Sequence, residues 1–494
     1  MPHDVCQNYY RRAMKALWKS LNEPCIKSVE AMLLLSGMDL ANGRPEDGRF
    51  FFETAVRITF EQKLYIDPDD SPWLDHLNLS DDEKDERRRI FWMTYYSLKV
   101  LQIASAAPIP VQMDTCNVKV VRKCGDQDVI AVCFLAGILD VIHEIKLHQS
   151  MEPTSVPSIL SCCTCDSIRP HLNSVRAQIP GNLILSTPEE VDQFIITSAA
   201  SSDDFVSITL DTLSVSLVYN SALCLLTRPT MYLTAFLALD SPILINNPSF
   251  ISKLLVVLTE NLTAALTIAQ INTHSIHFSP STDLLHDGSL AKKLWVENAF
   301  ACFNLFEAAI CIWFMTCKTR PFWWNSDAGE QKDHVQSPST PTSLDPKPQN
   351  VLCMSLADRK RNRSLVLDIL RTLRETSVVF PMISPLSTCV AEMAQEMKQV
   401  EEEIAAMCPA QIAATAFQKN HWRVFKVKDR GIDSITVGLK VMSLDSEARL
   451  EEGQEPWAYL GLLGVEVGEK GMRFNAHYEE AWRRFWQECE GIRT

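Results

Sequence analysis

The sequence predicts an all-α protein, a large multi-helix bundle or array. Three observations carry that expectation. Glycine is scarce, 16 in 494 residues, well below the roughly 7% of an average chain, which counts against sandwiches, barrels and dinucleotide-binding α/β folds. Apolar residues recur at helical spacing, as at Val56, Phe60 and Leu64, one turn apart each time. Helix-start chemistry is written out at Ser80 and Glu83, where each side chain can satisfy a free backbone N–H of the first turn. With 46% apolar and 22% charged residues the chain can build a core. Its length suits roughly two to four domains, or one large helical body with extensions.

Taken in order, Tyr9 to Trp18 reads as an aromatic and basic helix, and Pro24 opens a second through Val29, Met32, Leu33 and Leu35. Gly37 is a point at which that helix weakens or ends, and Asn42-Gly43 is a turn signal. Phe51 to Ile66 is helical until Asp67-Pro68-Asp69-Asp70-Ser71-Pro72 breaks it. Leu79 to Tyr96 is the sharpest local signature. Acids crowd its start and Arg87, Arg88 and Arg89 follow, which complements the helix dipole. Glu83 is expected to face Arg87, and Asp85 to face Arg89, with Phe91 over Tyr95 and Trp92 over Tyr96 one turn on. Val206 to Arg228 is helical and is expected to end before Pro229. Ile251 to Ile271 and Trp295 to Cys317 are further helices, as are residues 356–376 and 384–408.

The organisation expected is a helical body over 1–325 with a linker or ordered insertion at about 151–188, a disordered loop at 326–350, continuing helices over 351–410 and a divergent tail over 411–494. The alternation of Ile435, Val437, Leu439 and Val441, behind Val424 to Lys428 and a turn at Asp429-Arg430-Gly431, predicts a β-hairpin in that tail.

A net charge of −14 excludes DNA binding through the overall field. Met1 to Glu30 carries Arg11, Arg12, Lys15, Lys19 and Lys27 and no apolar run of signal-peptide length, so secretion is not expected. Cys133, Cys224, Cys302 and Cys311 lie in apolar helical surroundings, as free core thiols do. No membrane association is expected. Val129 to Leu139 is too short to span and is bounded by Asp128 and Asp140, while Ala299 to Cys317 carries Asn304 and Glu307 near its centre. An acid at mid-bilayer costs about 2.5–3.5 kcal/mol, so the second segment reads as a buried helix.

Enzyme signatures are weak. No phosphate-binding loop, nucleophile elbow, HExxH or G-x-G-x-x-G occurs. Cys162-Cys163-Thr164-Cys165 lacks a second ligand pair for zinc, and His274 and His277 read as solvated. The histidines and acids form no spacing that marks a catalytic or metal-binding set. Arg359, Lys360, Arg361 and Arg363 form a dense basic patch that opens a helix, either a solvated helix start or a nuclear-import or phosphate-contact signal. Bases there oppose the helix dipole.

Four stretches together resemble the fungal-specific transcription factor domain, the middle homology region of binuclear zinc-cluster regulators. Ser28 to Leu35 is similar to the family's early "QALLLL" helix, with Glu30 for Gln. Phe52 to Asp67 stands where the family has "GxAxRxAxxLGLHxD", with Ala55 and Arg57 in place and Lys63 to Asp67 replacing its end. Leu79 to Tyr96 resembles "LSxxExExRRRxFWxxYxxD", with Lys99 or nothing in place of the family's closing Asp, and Leu217 to Pro229 resembles "LxYNxxxxLLxRP". The expected "GRPxxI" appears as Ala106-Ala107-Pro108-Ile109-Pro110. The resemblance covers about residues 5–400.

It implies the regulatory domain of a nuclear transcription regulator, not an enzyme, acting through co-regulator proteins, self-association or a small-molecule effector. Ser80, Glu83, Arg87, Arg88, Arg89, Phe91, Trp92 and Tyr95 are expected to be structural, with Arg228 a partly buried helix-end cation before Pro229. The family's zinc cluster has no counterpart, because no Cys-x2-Cys-x6-Cys occurs. Zinc and DNA are therefore expected only through an upstream module. Two alternatives stand beside this reading. One is a helical interaction scaffold without a transcriptional role. The other is an α-helical metal-dependent enzyme with Asp81-Asp82-Glu83 toward Mg²⁺.

Overall fold

A computed structural model describes residues 3–20, 25–41, 45–104, 118–119, 127–149, 163–198, 205–236, 248–277, 301–317, 356–380 and 383–406, with short extended backbone at 324–325, 352–353, 465–468 and 471–474. The helices in chain order are α1 (His3–Ser20), α2 (Ile26–Ala41), α3 (Pro45–Glu61), α4 (Asp81–Ala104), α5 (Gln127–Gln149), α6 (Cys163–Gln178), α7 (Pro188–Ser198), α8 (Phe205–Phe236), α9 (Pro248–His277), α10 (Ala301–Cys317), α11 (Leu356–Ser377) and α12 (Ser384–Ala406). The all-α expectation holds. The expected disordered loop at 326–350 and the hairpin over 424–441 lie outside the described residues.

Two apolar cores form. The smaller joins α1 to α4, with Met32, Phe52, Ile58, Leu64 and Phe91 at its centre. The larger is built by α5 to α12. α4 and α5 pack along each other and contribute to both, so they tie the cores together.

α10 lies at the centre of the larger core, against α8, α9, α11 and α12. Ala301 to Thr316 are all buried. A helix apolar on every side belongs in the middle of a core, as expected for this segment. α8 and α9 contain stretches long and apolar enough to cross a membrane by length and composition, Leu210–Met231 and Lys253–Ile276, of which 89% and 50% is buried against the protein itself. Packing on α10 is a sufficient physical account of the apolar character of α8.

The structure corrects expected helix ends. α8 does not end at Arg228; it continues through Pro229 to Phe236. Proline has no N–H for the carbonyl four residues back, and leaving that carbonyl unmade in a core is costly. Here the carbonyl belongs to Leu225, and Gln149 Nε2 of α5 donates to it at 2.8 Å. α2 runs through Gly37 to Ala41, held by the burial of Met32 and Leu35 and by Tyr10 of α1, whose hydroxyl donates to Asp39 at 2.8 Å. Of the two readings of the stretch around 151–188, linker or ordered insertion, the structure agrees with the second from residue 163 on. That part forms α6 and a 3-10 turn at Gly181–Leu183. Leu185 is then stitched to α8: its N–H donates to Ser216 Oγ at 2.9 Å, and its carbonyl accepts from Asn220 Nδ2 at 2.9 Å.

Phe91, Trp92 and Tyr95 are buried, as expected. Phe91 stacks on Tyr95 with ring centroids 6.2 Å apart, and Trp92 meets Tyr95 edge-on at 6.0 Å. The Trp92 indole N–H donates to the Lys119 carbonyl at 3.3 Å. Trp92→Ala is expected to cost about 3 kcal/mol, the low end for truncating a core aromatic, because the residue is 8% exposed and not fully buried. Urea unfolding measures this, and a loss under about 1 kcal/mol would remove the ring from the core.

Candidate functional site

Two buried charge knots hold the cores, and both contain residues singled out in the sequence. The first is at the start of α4. Ser80 and Glu83 cap the helix reciprocally: the Glu83 N–H donates to Ser80 Oγ at 3.3 Å, and the Ser80 N–H donates to the Glu83 carboxylate at 2.8 Å. One turn on, Arg87 donates to the Gln62 carbonyl at 2.8 Å at the end of α3. That carbonyl is one a helix end leaves unmade.

Arg88 is the hub. Its guanidinium donates to both Asp67 oxygens at 2.9 and 2.8 Å, to Asp69 at 2.8 Å and to Asp85 at 2.7 Å. Asp85 therefore pairs with Arg88 rather than with Arg89, as expected from i,i+4 spacing, because the turn carrying Asp67 draws Arg88 inward. Arg89 is half-buried. Asp67 is fully buried and also accepts from the backbone N–H groups of Asp69 at 3.0 Å and Lys119 at 2.8 Å. Burial by itself would raise the Asp67 carboxyl. The Arg88 guanidinium and the two N–H groups outweigh it and hold the group well below the usual carboxylate range.

The second knot lies in the larger core. Arg228 of α8 and Glu307 of α10 form a fully buried ion pair, 1% and 0% exposed. The expected helix-end cation is thus a mid-helix one, facing a carboxylate and not the carbonyls of a helix terminus. Around it, Asn261 Nδ2 of α9 donates to Thr227 Oγ1 at 2.7 Å and to the Cys224 carbonyl at 3.2 Å. Cys224, Cys302, Cys311 and Cys133 are free, buried thiols, as expected. Burial pushes Cys133 and Cys302 up to about 12 and raises Cys224 well above the ordinary value.

The basic patch is divided by the fold. Arg359 is buried and donates to the Thr316 carbonyl at the end of α10, where Asn362 also reaches Thr316 Oγ1 at 3.4 Å. A cation at the start of α11 therefore serves the negative end of α10, which resolves its conflict with its own helix dipole. Arg363 pairs with Glu401 of α12 at 2.9 Å. Lys360 and Arg361 are exposed.

His274 is not simply solvated. Its Nε2 lies 2.6 Å from Asp192 Oδ1 of α7, which also accepts from Gln270 at 2.7 Å. The side chains of Cys162, Cys163, Cys165 and His277 lie outside the described residues. Among the described residues, no group of three or more His, Cys, Asp or Glu is arranged to hold a metal ion. Of Asp81-Asp82-Glu83, Glu83 is engaged in capping.

Sequence reasoning missed Asp67, Asp69 and Asp85 as partners of Arg88, Lys119 as a further donor, and Glu307 as the partner of Arg228. A signal for the last pair existed. Arg228 and Asp211 are the charges of α8, and Glu307 is the one charge of α10. A lone acid and a lone base in two helices bound for one core must either meet or stay neutral.

Comparison of the sequence with family models and with curated proteins, and of the fold with solved structures, gave no match.

Proposed function

We propose that the chain is the regulatory domain of a fungal-type transcription regulator, working in the nucleus through intramolecular contacts, co-regulator proteins or self-association. It reaches DNA only through an upstream module. What supports the reading is where the motif residues fall. Arg87, Arg88, Phe91, Trp92, Tyr95 and Arg228, drawn from two separate stretches of the resemblance, are buried and anchor the two cores, while Ser80 and Glu83 cap α4 at the surface. Such a pattern is expected of a family signature that preserves a helical scaffold. A small-molecule effector would act by favouring one arrangement of the two cores over another, which requires different affinity for each.

Fusing the full chain to an unrelated DNA-binding module, upstream of a reporter gene, tests the reading. A several-fold change in transcript relative to the module alone is the expected result. An unchanged transcript sinks the proposal and leaves the scaffold reading. The purified chain is expected not to retard duplex DNA at about 150 mM salt, since net negative charge opposes a polyanion. Sequence-specific retardation there would contradict the account of DNA access. Within the basic patch, Lys360 and Arg361 are the exposed cations available to an import receptor.

A further inference from the structure

α1 carries an exposed basic face that the fold does not use. Its inner side, Tyr10, Met14 and Leu17, packs on the smaller core. Arg11, Arg12, Lys15 and Lys19 are exposed on its outer side. At about 3.6 residues per turn, Arg11, Lys15 and Lys19 line one stripe, with Arg12 beside them. Elsewhere the fold neutralises many of its cations: Lys27 pairs with Glu86, Arg49 with Glu53, Lys99 with Asp140, Arg169 with Glu260, and Arg371 with Glu375. Among the described residues, Arg11, Lys15 and Lys19 have no such pairing. In a chain of net charge −14, a helix with unpaired cations in register is a local reversal of sign.

The second observation is apolar. Tyr9 and Trp18 are 61% and 53% exposed, and Trp18 lies 5.9 Å from the Phe50 ring of α3, itself 48% exposed. At the same helical pitch Tyr9 and Trp18 flank the basic stripe on opposite edges. Exposed aromatic rings beside unpaired charges mark an interaction surface.

The order of these groups selects the partner. A helix lying in a membrane interface puts its apolar groups at the centre of the buried face and its cations at the margins; here the cations are central and the rings marginal. Nucleic acid presents an extended polyanion, which would spread from α1 onto α3 and meet exposed Asp47 and Glu53 on either side of Phe50. A short acidic helix with an apolar stripe meets neither obstacle. Its carboxylates face Arg11, Lys15 and Lys19, and its apolar residues cover Trp18 and Phe50. We propose that the outer face of α1 docks an acidic amphipathic segment of a partner protein. The surface stands on α1 and α3 alone and holds whether or not the chain regulates transcription.

The test uses the full chain and a labelled peptide with Asp and Glu on one helical face and Leu and Phe on the other, roughly 20 residues long to match α1 at 1.5 Å per residue. Its lysine-inverted counterpart, a duplex oligonucleotide and phosphatidylserine vesicles are run in parallel. The acidic peptide is expected to bind best, and to weaken about tenfold as salt shortens the screening length. The triple variant Arg11→Glu, Lys15→Glu, Lys19→Glu should lose at least about tenfold in affinity and gain the lysine peptide, with an unchanged melting curve because these side chains are exposed. Trp18→Ala should weaken binding independently. Tighter binding of DNA or vesicles, equal binding by the triple variant, or no peptide binding at all overturns the proposal.

Discussion

Glu307→Ala is expected to destabilise the protein by about 3–5 kcal/mol, the range for stranding one member of a buried ion pair. Arg228 would be left 1% exposed in the core without its carboxylate partner. That loss is a large share of the roughly 5–15 kcal/mol that holds a domain folded, so much of the variant should accumulate unfolded or aggregated. Glu307→Gln keeps the volume and removes the charge, and it should lose most of the same amount. The double variant Arg228→Met, Glu307→Leu should recover to within about 1–2 kcal/mol of wild type, because apolar groups of similar size need no desolvation. Chemical unfolding of the three proteins decides the matter. If the single alanine variant is as stable as wild type, or the double variant is the least stable of the set, the buried pair is not what holds α8 to α10.

The second large effect is expected at Asp67. Asp67→Asn should cost about 3 kcal/mol at neutral pH, less than at Glu307 because Asp69 and Asp85 still hold Arg88. A pH signature separates charge from packing. The folded carboxyl is held below its unfolded value of about 3.9, so as pH falls the unfolded chain takes up the proton first. The stabilisation is complete above that value and drains away below it. Wild type should therefore lose stability more steeply than the Asn variant between about pH 5 and pH 2, and the two curves should converge in acid. Parallel curves would mean that Asp67 is held by shape alone.

Sequence reading found the helices well, for a local reason. Apolar residues one turn apart and the Ser80–Glu83 cap act through neighbours a few positions away. The end of α3 was misplaced, because the helix stops at Glu61 and the chain turns at Lys63, with φ 51°, before Asp67-Pro68 is reached. α4 was legible in its cap, its buried aromatic band and the stacking of Phe91 on Tyr95. Its charge pairs were not: Glu83 caps Ser80, Arg87 reaches the Gln62 carbonyl, Asp85 meets Arg88, and Trp92 packs on Tyr95. Buried α10 was legible too, since an apolar segment carrying Asn304 and Glu307 makes a poor membrane span. Misreadings arose where a distant residue overrode a local rule. Pro229 should end a helix, but Gln149, 76 positions from Leu225, takes up the freed carbonyl. Arg359 opposes its own helix dipole, and the carbonyl it serves belongs to Thr316, 43 positions away.

By itself, then, the sequence determined that this is a helical protein, where most of its helices run and which faces they bury, because those outcomes follow from short-range spacing and burial. The tertiary structure alone decided which charges meet. Asp67 finds Arg88 and Arg228 finds Glu307 because burial removes the water that would otherwise satisfy each group separately, and only a folded core brings residues so distant along the chain within reach of one another.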